Sequence, residues 1–266
     1  MTPRLDALQA RRLRLHRLDP SRPLRDARAA AAFVRERQMI LSTGRSSLPA
    51  LSEAIAGRAL AGSWMAHPEA GRIHKILGDL RKHDLISAPL VLGKDVLMHP
   101  ALGPAVERVA SDRERRAQVR RRLPPLARRL LEAVETKGRV RMDHWGPPAA
   151  RARPARVLLE RELLVAGSEM HTEGGYHTVI LRPWRTGRIG SRFGSQSRRL
   201  GYDEAADTLI VAGVRSAVVA PEREVRRWFV FRDDRVNALL AQGALLGLQQ
   251  HGVPYVVVGK DIPTRC

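Results

Sequence analysis

The chain has 266 residues, a formal charge of +20 from 47 Lys and Arg against 27 Asp and Glu, and only 4% aromatic residues within an apolar fraction of 44%. Rings this scarce exclude a core built on aromatic stacking and weigh against an all-β sandwich, so burial rests on Leu, Val, Ile and Ala in a helix-rich α+β fold. The positive excess, 42 Arg and five Lys, reflects missing acids as well as abundant Arg, and a field of that sign selects polyanions as partners.

Residues 1–25 carry seven Arg and two Asp around Leu5, Leu8, Leu13, Leu15 and Leu18, a partly helical spacing closed by Pro20 and Pro23. They are expected to form a basic N-terminal helix or arm. Asp26 caps a helix from Ala27 to Arg37, and Gln38-Met39-Ile40-Leu41 is too short to be a helix of its own. Ser47-Leu48-Pro49 opens a helix through Ile55 that Gly57 stops. Pro68 stands in the first turn of another, which carries Ile73, Ile76, Leu77 and Leu80. Ile86 to Leu92 and Asp95 to Met98, joined by Gly93-Lys94, spell a β-hairpin. Helix, helix, hairpin is the order of a winged helix, and 26–110 is read as the first such unit.

Residues 111–125 read as a basic bridge broken by Pro124-Pro125, and 126–185 as a second winged-helix unit. There, Leu130, Leu131 and Val134 line a helix that stops at Gly138, and a short turn of structure follows around Val140 to Trp145. Pro147-Pro148 introduces a helix through Val157, Leu158 and Leu163. Val165 to His171 and Tyr176 to Leu181 flank Glu173-Gly174-Gly175, a hairpin signal. Residues 186–202 read as a flexible Gly/Arg/Ser-rich linker: from Gly174 through Tyr202 there are six Arg and no acid. Helices near Asp203–Val214, Pro221–Phe231 and Asp234–His251 and a strand at Tyr255–Val258 follow, and a third, degenerate winged helix is one reading of 203–266.

In a winged helix the third helix enters the major groove, about 12 Å wide, while the wing reaches the backbone or the adjacent minor groove. Arg151, Arg153, Arg156 and Arg161 belong to that helix in the second unit. At its wing, His171 and His177 stand symmetrically about Gly174, with Thr172 and Tyr176 beside them. This suits contact with phosphate or a groove better than a zinc site, which lacks a fourth ligand. Arg188, Arg192, Arg198 and Arg199 extend the phosphate-seeking set. With no motif of stacking aromatics for single-stranded RNA, double-stranded DNA is the expected partner.

The opening Leu8-Gln9-Ala10-Arg11-Arg12-Leu13-Arg14-Leu15, then Leu18-Asp19-Pro20, then a helix running into Arg37-Gln38-Met39-Ile40, resembles the start of the AlkZ/YcaQ group of tandem winged-helix DNA glycosylases. The match of residues spans about the first forty positions; beyond them it rests on the order of elements. The resemblance implies several winged helices around a duplex, a β-hairpin that contacts DNA, and removal of alkylated or crosslinked purines. In that group a Gln, an apolar residue and then a Gln or carboxylate share one face of a short strand. There they stabilise the positive charge that glycosidic cleavage develops on the sugar, and align water. Gln38 matches the first position. Ile40 occupies the second and does neither job, which leaves three alternatives: lost activity, substitution by Glu36 or Glu53, or a different register.

A single Cys266 excludes disulfides within the chain and cysteine metal sites. Gly187 to Gly194 matches no nucleotide-phosphate loop, and no nucleophile elbow or triad is present, so neither metal nor cofactor is expected. No long apolar run is present, membrane association is not expected, and the chain is read as cytoplasmic and nucleoid-associated. Besides a repair glycosylase, a non-catalytic winged-helix regulator and a scaffold for ribosomal RNA fit the same charge.

Overall fold

The computed structural model describes residues 5–171, 177–229 and 234–259. After α1 (Leu5–Leu15) comes α2 (Ala27–Arg37), whose first turn is closed by the Asp26 carboxylate accepting the Ala29 N–H at 2.7 Å. One residue, Gln38, separates α2 from β1 (Met39–Leu41). Next are α3 (Leu51–Ala56), ended by left-handed Gly57, and α4 (Ala70–Asp79). The hairpin of β2 (Ile86–Val91) and β3 (Lys94–Met98) completes a three-stranded antiparallel sheet ordered β1–β3–β2. The helices cover its apolar face: Phe33, Ile40, Leu51, Ile55, Ile73 and Ile76 form one buried cluster, aliphatic apart from a single ring.

The chain continues through α5 (Gly103–Ser111), α6 (Arg113–Arg122) and α7 (Pro125–Lys137), which Gly138 stops in the left-handed conformation. It then forms β4 (Val140–Arg141), a single 3₁₀ turn at Met142–His144, and α8 (Ala149–Arg161). The hairpin of β5 (Val165–His171) and β6 (His177–Pro183) pairs to the order β4–β6–β5. Leu130, Leu131, Val134, Leu159, Leu164 and Leu181 fill its core.

After α9 (Arg188–Ser197), the order appears once more. It runs α10 (Tyr202–Ala217), β7 (Ala220–Pro221), α11 (Glu222–Trp228), α12 (Asp234–Ala241), β8 (Leu245–Gln250) and β9 (Val253–Val258), with sheet order β7–β9–β8. The fold is thus helix-rich α+β, built of tandem winged-helix repeats with hairpin wings. The chain forms two compact units, residues 1–102 with 206–266, and residues 103–205. Among the described residues, no helix is long and apolar enough to cross a membrane.

Of the helix or arm expected over residues 1–25, the structure shows the helix α1, whose Leu5 and Leu8 pack with Val218, Val219, Leu248 and Val257 of the third repeat. Three other sequence expectations change. The basic bridge of 111–125 is mostly helix, because Asp112 caps α6 by accepting the Arg115 N–H at 2.9 Å. The supposed linker 186–202 holds α9, whose Ile189 and Phe193 stand one turn apart and are buried despite the surrounding Gly and Ser. Finally, the helix expected over 234–251 ends at Ala241, where Gly243 turns at φ +72° into β8.

Gly103 of α5 lies under α9: a Cβ there would lie 2.4 Å from the buried Phe193 ring. Gly103→Ala is therefore expected to lower stability by about 1–3 kcal/mol through overpacking. Urea unfolding measures this, and an unchanged midpoint would show that α9 does not seat its ring there.

Candidate nucleic-acid interface and the Gln38 junction

The third helices of the three repeats differ in how their cations are used. On α4, Lys75 pairs with Asp79 at 3.0 Å; on α12, Arg235 is held by Asp207 at 2.5 Å. On α8, Ala152, Ala155 and Leu159 face the core, while Arg151, Arg153, Val157 and Arg161 are exposed. Arg153, Val157 and Arg161 follow each other at four-residue spacing, so they line one outward face. Arg151 and Arg153 make no ion pair among the described residues. Arg156 is different: half-buried, it donates to Glu160 at 2.7 Å and is largely neutralised. Arg161 reaches Glu162 at 3.4 Å but stays exposed.

The wing beyond α8 is paired without a bulge from Val165 opposite Pro183 to His171 opposite His177, the register expected from their symmetry. His177 is exposed. The His171 side chain, Thr172, Glu173 and Tyr176 lie outside the described residues.

On α9, the burial of Ile189 and Phe193 turns Arg188 and Arg192 outward, with the Arg192 guanidinium 4.9 Å from the Phe193 ring centroid. Arg198 and Arg199 are exposed just beyond its end. Arg188, Arg198 and Arg199 have no acidic partner among the described residues. The segment thus carries Arg188 and Arg192 at fixed spacing on a helix, with Arg198 and Arg199 just past its end. Residues 103–205 carry 22 Lys and Arg against 12 Asp and Glu.

Gln38 does not lie in β1. It is the residue after α2, at φ +66° and ψ −34°, with its N–H donating to the Val34 carbonyl at 2.7 Å and its carbonyl accepting from the His99 N–H at 2.9 Å. The strand alternation expected to place Gln38 and Ile40 on one face is broken by that turn. Gln38 is half-buried, whereas Ile40 is fully buried among Phe33, Leu51 and Ile55. Ile40 therefore has no access to a ligand.

Sequence reading passed over the groups that hold this junction. Ser216 of α10, fully buried, donates its hydroxyl to the Met39 carbonyl. The Ser216 carbonyl in turn lies 3.1 Å from Nε2 of His16. A carbonyl only accepts, so Nε2 carries a proton. Burial, then Arg12, lowers the His16 pKa to about 3; the bond to Ser216 opposes this, and Arg37 adds to it. The signal was present in the sequence as Leu5, Leu8, Arg12 and His16 at helical spacing on one face.

Nearby carboxylates are committed. Burial pushes Glu224 up, but donors from Ser46, Ser47 and Trp228 hold its pKa below the usual range. Glu53 is raised by burial and accepts the Leu60 N–H at 3.1 Å. Glu36 is exposed, two residues before Gln38. His67 accepts the Glu69 N–H at 3.2 Å on Nδ1 just before α4, and among the described residues no group of three His, Cys, Asp or Glu side chains could hold a metal.

No family model matches this sequence, and no curated protein does. Among solved structures, the chain is similar to the Streptomyces sahachiroi DNA glycosylase AlkZ, with a TM-score of 0.52 and 14% identity over 98% of this chain and 71% of that one. The likeness establishes an AlkZ/YcaQ-type fold.

His16 gives this junction a pH signature. Its folded pKa lies below the ordinary 6.5, so below that pH the unfolded chain takes up a proton that the folded chain refuses, and stability falls from pH 6.5 toward 3. By pH 5 the loss from this group is on the order of 2 kcal/mol. His16→Gln, which keeps a donor for the Ser216 carbonyl, is expected to flatten the change in urea midpoint between pH 7 and 5. Parallel curves for parent and variant would show that His16 is not held neutral.

Proposed function

We propose that this chain binds double-stranded DNA and serves in DNA repair as a glycosylase-type protein for alkylated or crosslinked bases. The observation that carries the reading is the outward face of α8, where Arg151 and Arg153 stand without acids on the helix that a winged helix lays in the major groove. The fold shared with a DNA glycosylase and the +20 charge support it. Arg188, Arg198 and Arg199 supply further phosphate contacts, and His177 one from the wing.

For base removal, Gln38 is the side chain offered. Its amide both donates and accepts, so it can orient a water toward the anomeric carbon or accept contact from the cationic sugar. The exposed Glu36 is the carboxylate best free to stabilise that charge. A second reading, a non-catalytic regulator, is favoured by the complete burial of Ile40. Incubation with duplex containing N7-alkylguanine separates them: the repair reading expects released base, reduced by about 10²-fold or more in Gln38→Ala. Tight binding with no release under any condition would leave the regulator.

Binding itself is expected to be dominated by counterion release, with affinity falling at least about a thousandfold between 50 and 200 mM salt. Arg153→Ala should reduce the magnitude of the slope of log K against log salt by about one if that Arg meets a phosphate. A slope near zero for the parent would remove the electrostatic basis of duplex binding.

A further inference from the structure

Within residues 103–205 lies a cavity of about 430 Å³ walled by Glu107, Ser111, Arg116, Glu135, Trp184 and Arg185. Its size falls in the range of small-molecule sites, about 300–1,000 Å³. Its polar groups are arranged in two tiers. Glu107 is 3% exposed, and its Oε2 accepts the Trp184 indole N–H at 2.7 Å. No other partner of this carboxylate is found among the described residues, nor is either oxygen sealed from solvent without a partner. Oε1 is therefore the acceptor that the cavity offers.

A carboxylate in this position is incompletely compensated. Burial raises its pKa, against the Trp184 bond and the charge of Arg116. Arg116 is itself drawn toward Glu135, 3.8 Å away, which Arg120 also holds. A ligand bringing N–H donors would offset the desolvation that the protein leaves standing. At the other tier, Arg185 is exposed and has no acidic partner among the described residues. It stands three residues before Arg188, where the outward face of α9 begins.

The matching ligand has adjacent N–H donors at one end and an anion at the other. Among nucleotides, guanine presents N1–H and the N2 amino group side by side, both able to donate to a carboxylate; thymine offers one donor between acceptors, and adenine one amino group beside an acceptor. We infer that this cavity is a guanine-nucleotide site, with the base edge on Glu107 and the phosphate on Arg185. The nucleotide is either free or a residue extruded from a strand running along α9. This inference does not require glycosylase activity at Gln38.

Calorimetric titration of the full chain with dGMP, dAMP and dTMP tests it. A preference for dGMP of about tenfold or more is expected, because dGMP brings two adjacent donors to Oε1 and the others one, and a hydrogen bond to a charged acceptor is worth that much. Glu107→Gln, which keeps an acceptor for Trp184, should erase the preference, while Arg185→Ala should weaken all three nucleotides alike. Ser111→Phe, at an exposed position one turn along α5 from Glu107, should block dGMP while leaving the Glu107 carboxylate in place. Duplexes with one unpaired guanine or one unpaired thymine distinguish the sources: a matching preference, lost in Glu107→Gln, points to an extruded residue, and a preference confined to dGMP to the free nucleotide. Equal binding of the three nucleotides, no binding, or a guanine preference that survives Glu107→Gln overturns the assignment, whatever the chain does on duplex DNA.

Discussion

Each repeat turns from its first helix into a strand of two or three residues with almost no loop, and that turn needs a residue with positive φ. The chain meets the requirement with Gln38, Gly138 and Val218, at φ +66°, +70° and +69°. Glycine adopts this conformation freely, whereas a side chain, above all a β-branched one, costs on the order of 1–3 kcal/mol. Such strain persists only where surrounding bonds fix it. At Gln38 they come from Val34, from His99 and, one residue on, from Ser216 to the Met39 carbonyl. The junction decides that Ile40 turns into the core and that Gln38 stops short of the strand. Both facts govern what chemistry the first repeat can offer.

Much of the architecture could be read from local chemistry. Asp26 before an apolar stripe, Gly57 and Gly138 after one, and alternating strands around Gly93-Lys94 and Glu173-Gly174-Gly175 carry their own instructions. What escaped were features set from far along the chain. β4 and β7 have two residues each and are strands only because β6 and β9 pair with them. The run from Asp234 to His251 has leucines at 239, 240, 245, 246 and 248 that satisfy both a helical and an alternating period, and Gly243 decides between them. In α9, Gly and Ser argue locally for a loop, and two buried residues packed on α5 override them.

The candidate site was legible in its residue types and less so in their states. Helical spacing put Arg156 within reach of Glu160, but it grouped Arg153 with them, whereas the structure spends Arg156 on Glu160 and turns Arg153 outward with Val157 and Arg161. Ion pairing of this kind separates helix faces that composition cannot. The net charge of residues 103–205 is +10, and that of the remaining residues is also +10. The difference between the third helices of the repeats therefore lies in where acids stand. Lys75 and Arg235 have carboxylates within reach, as does Arg161 at the end of α8; Arg151 and Arg153 have neighbours such as Val157 and Pro154 and no ion pair among the described residues.

The strain at Gln38 is weaker support for catalysis than it first looks. An unusual backbone at a candidate residue invites a functional reading, yet Val218 adopts nearly the same φ at the equivalent turn with a side chain that has no chemistry to perform, and Gly138 makes the turn without strain. The conformation belongs to the topology. What is particular to Gln38 is a half-exposed amide where a glycine would suffice, on a backbone fixed one residue on by Ser216, whose own carbonyl is held by the buried His16. Any argument for base excision must rest on that amide and on an exposed acid such as Glu36, because the position two residues on has been given over to packing.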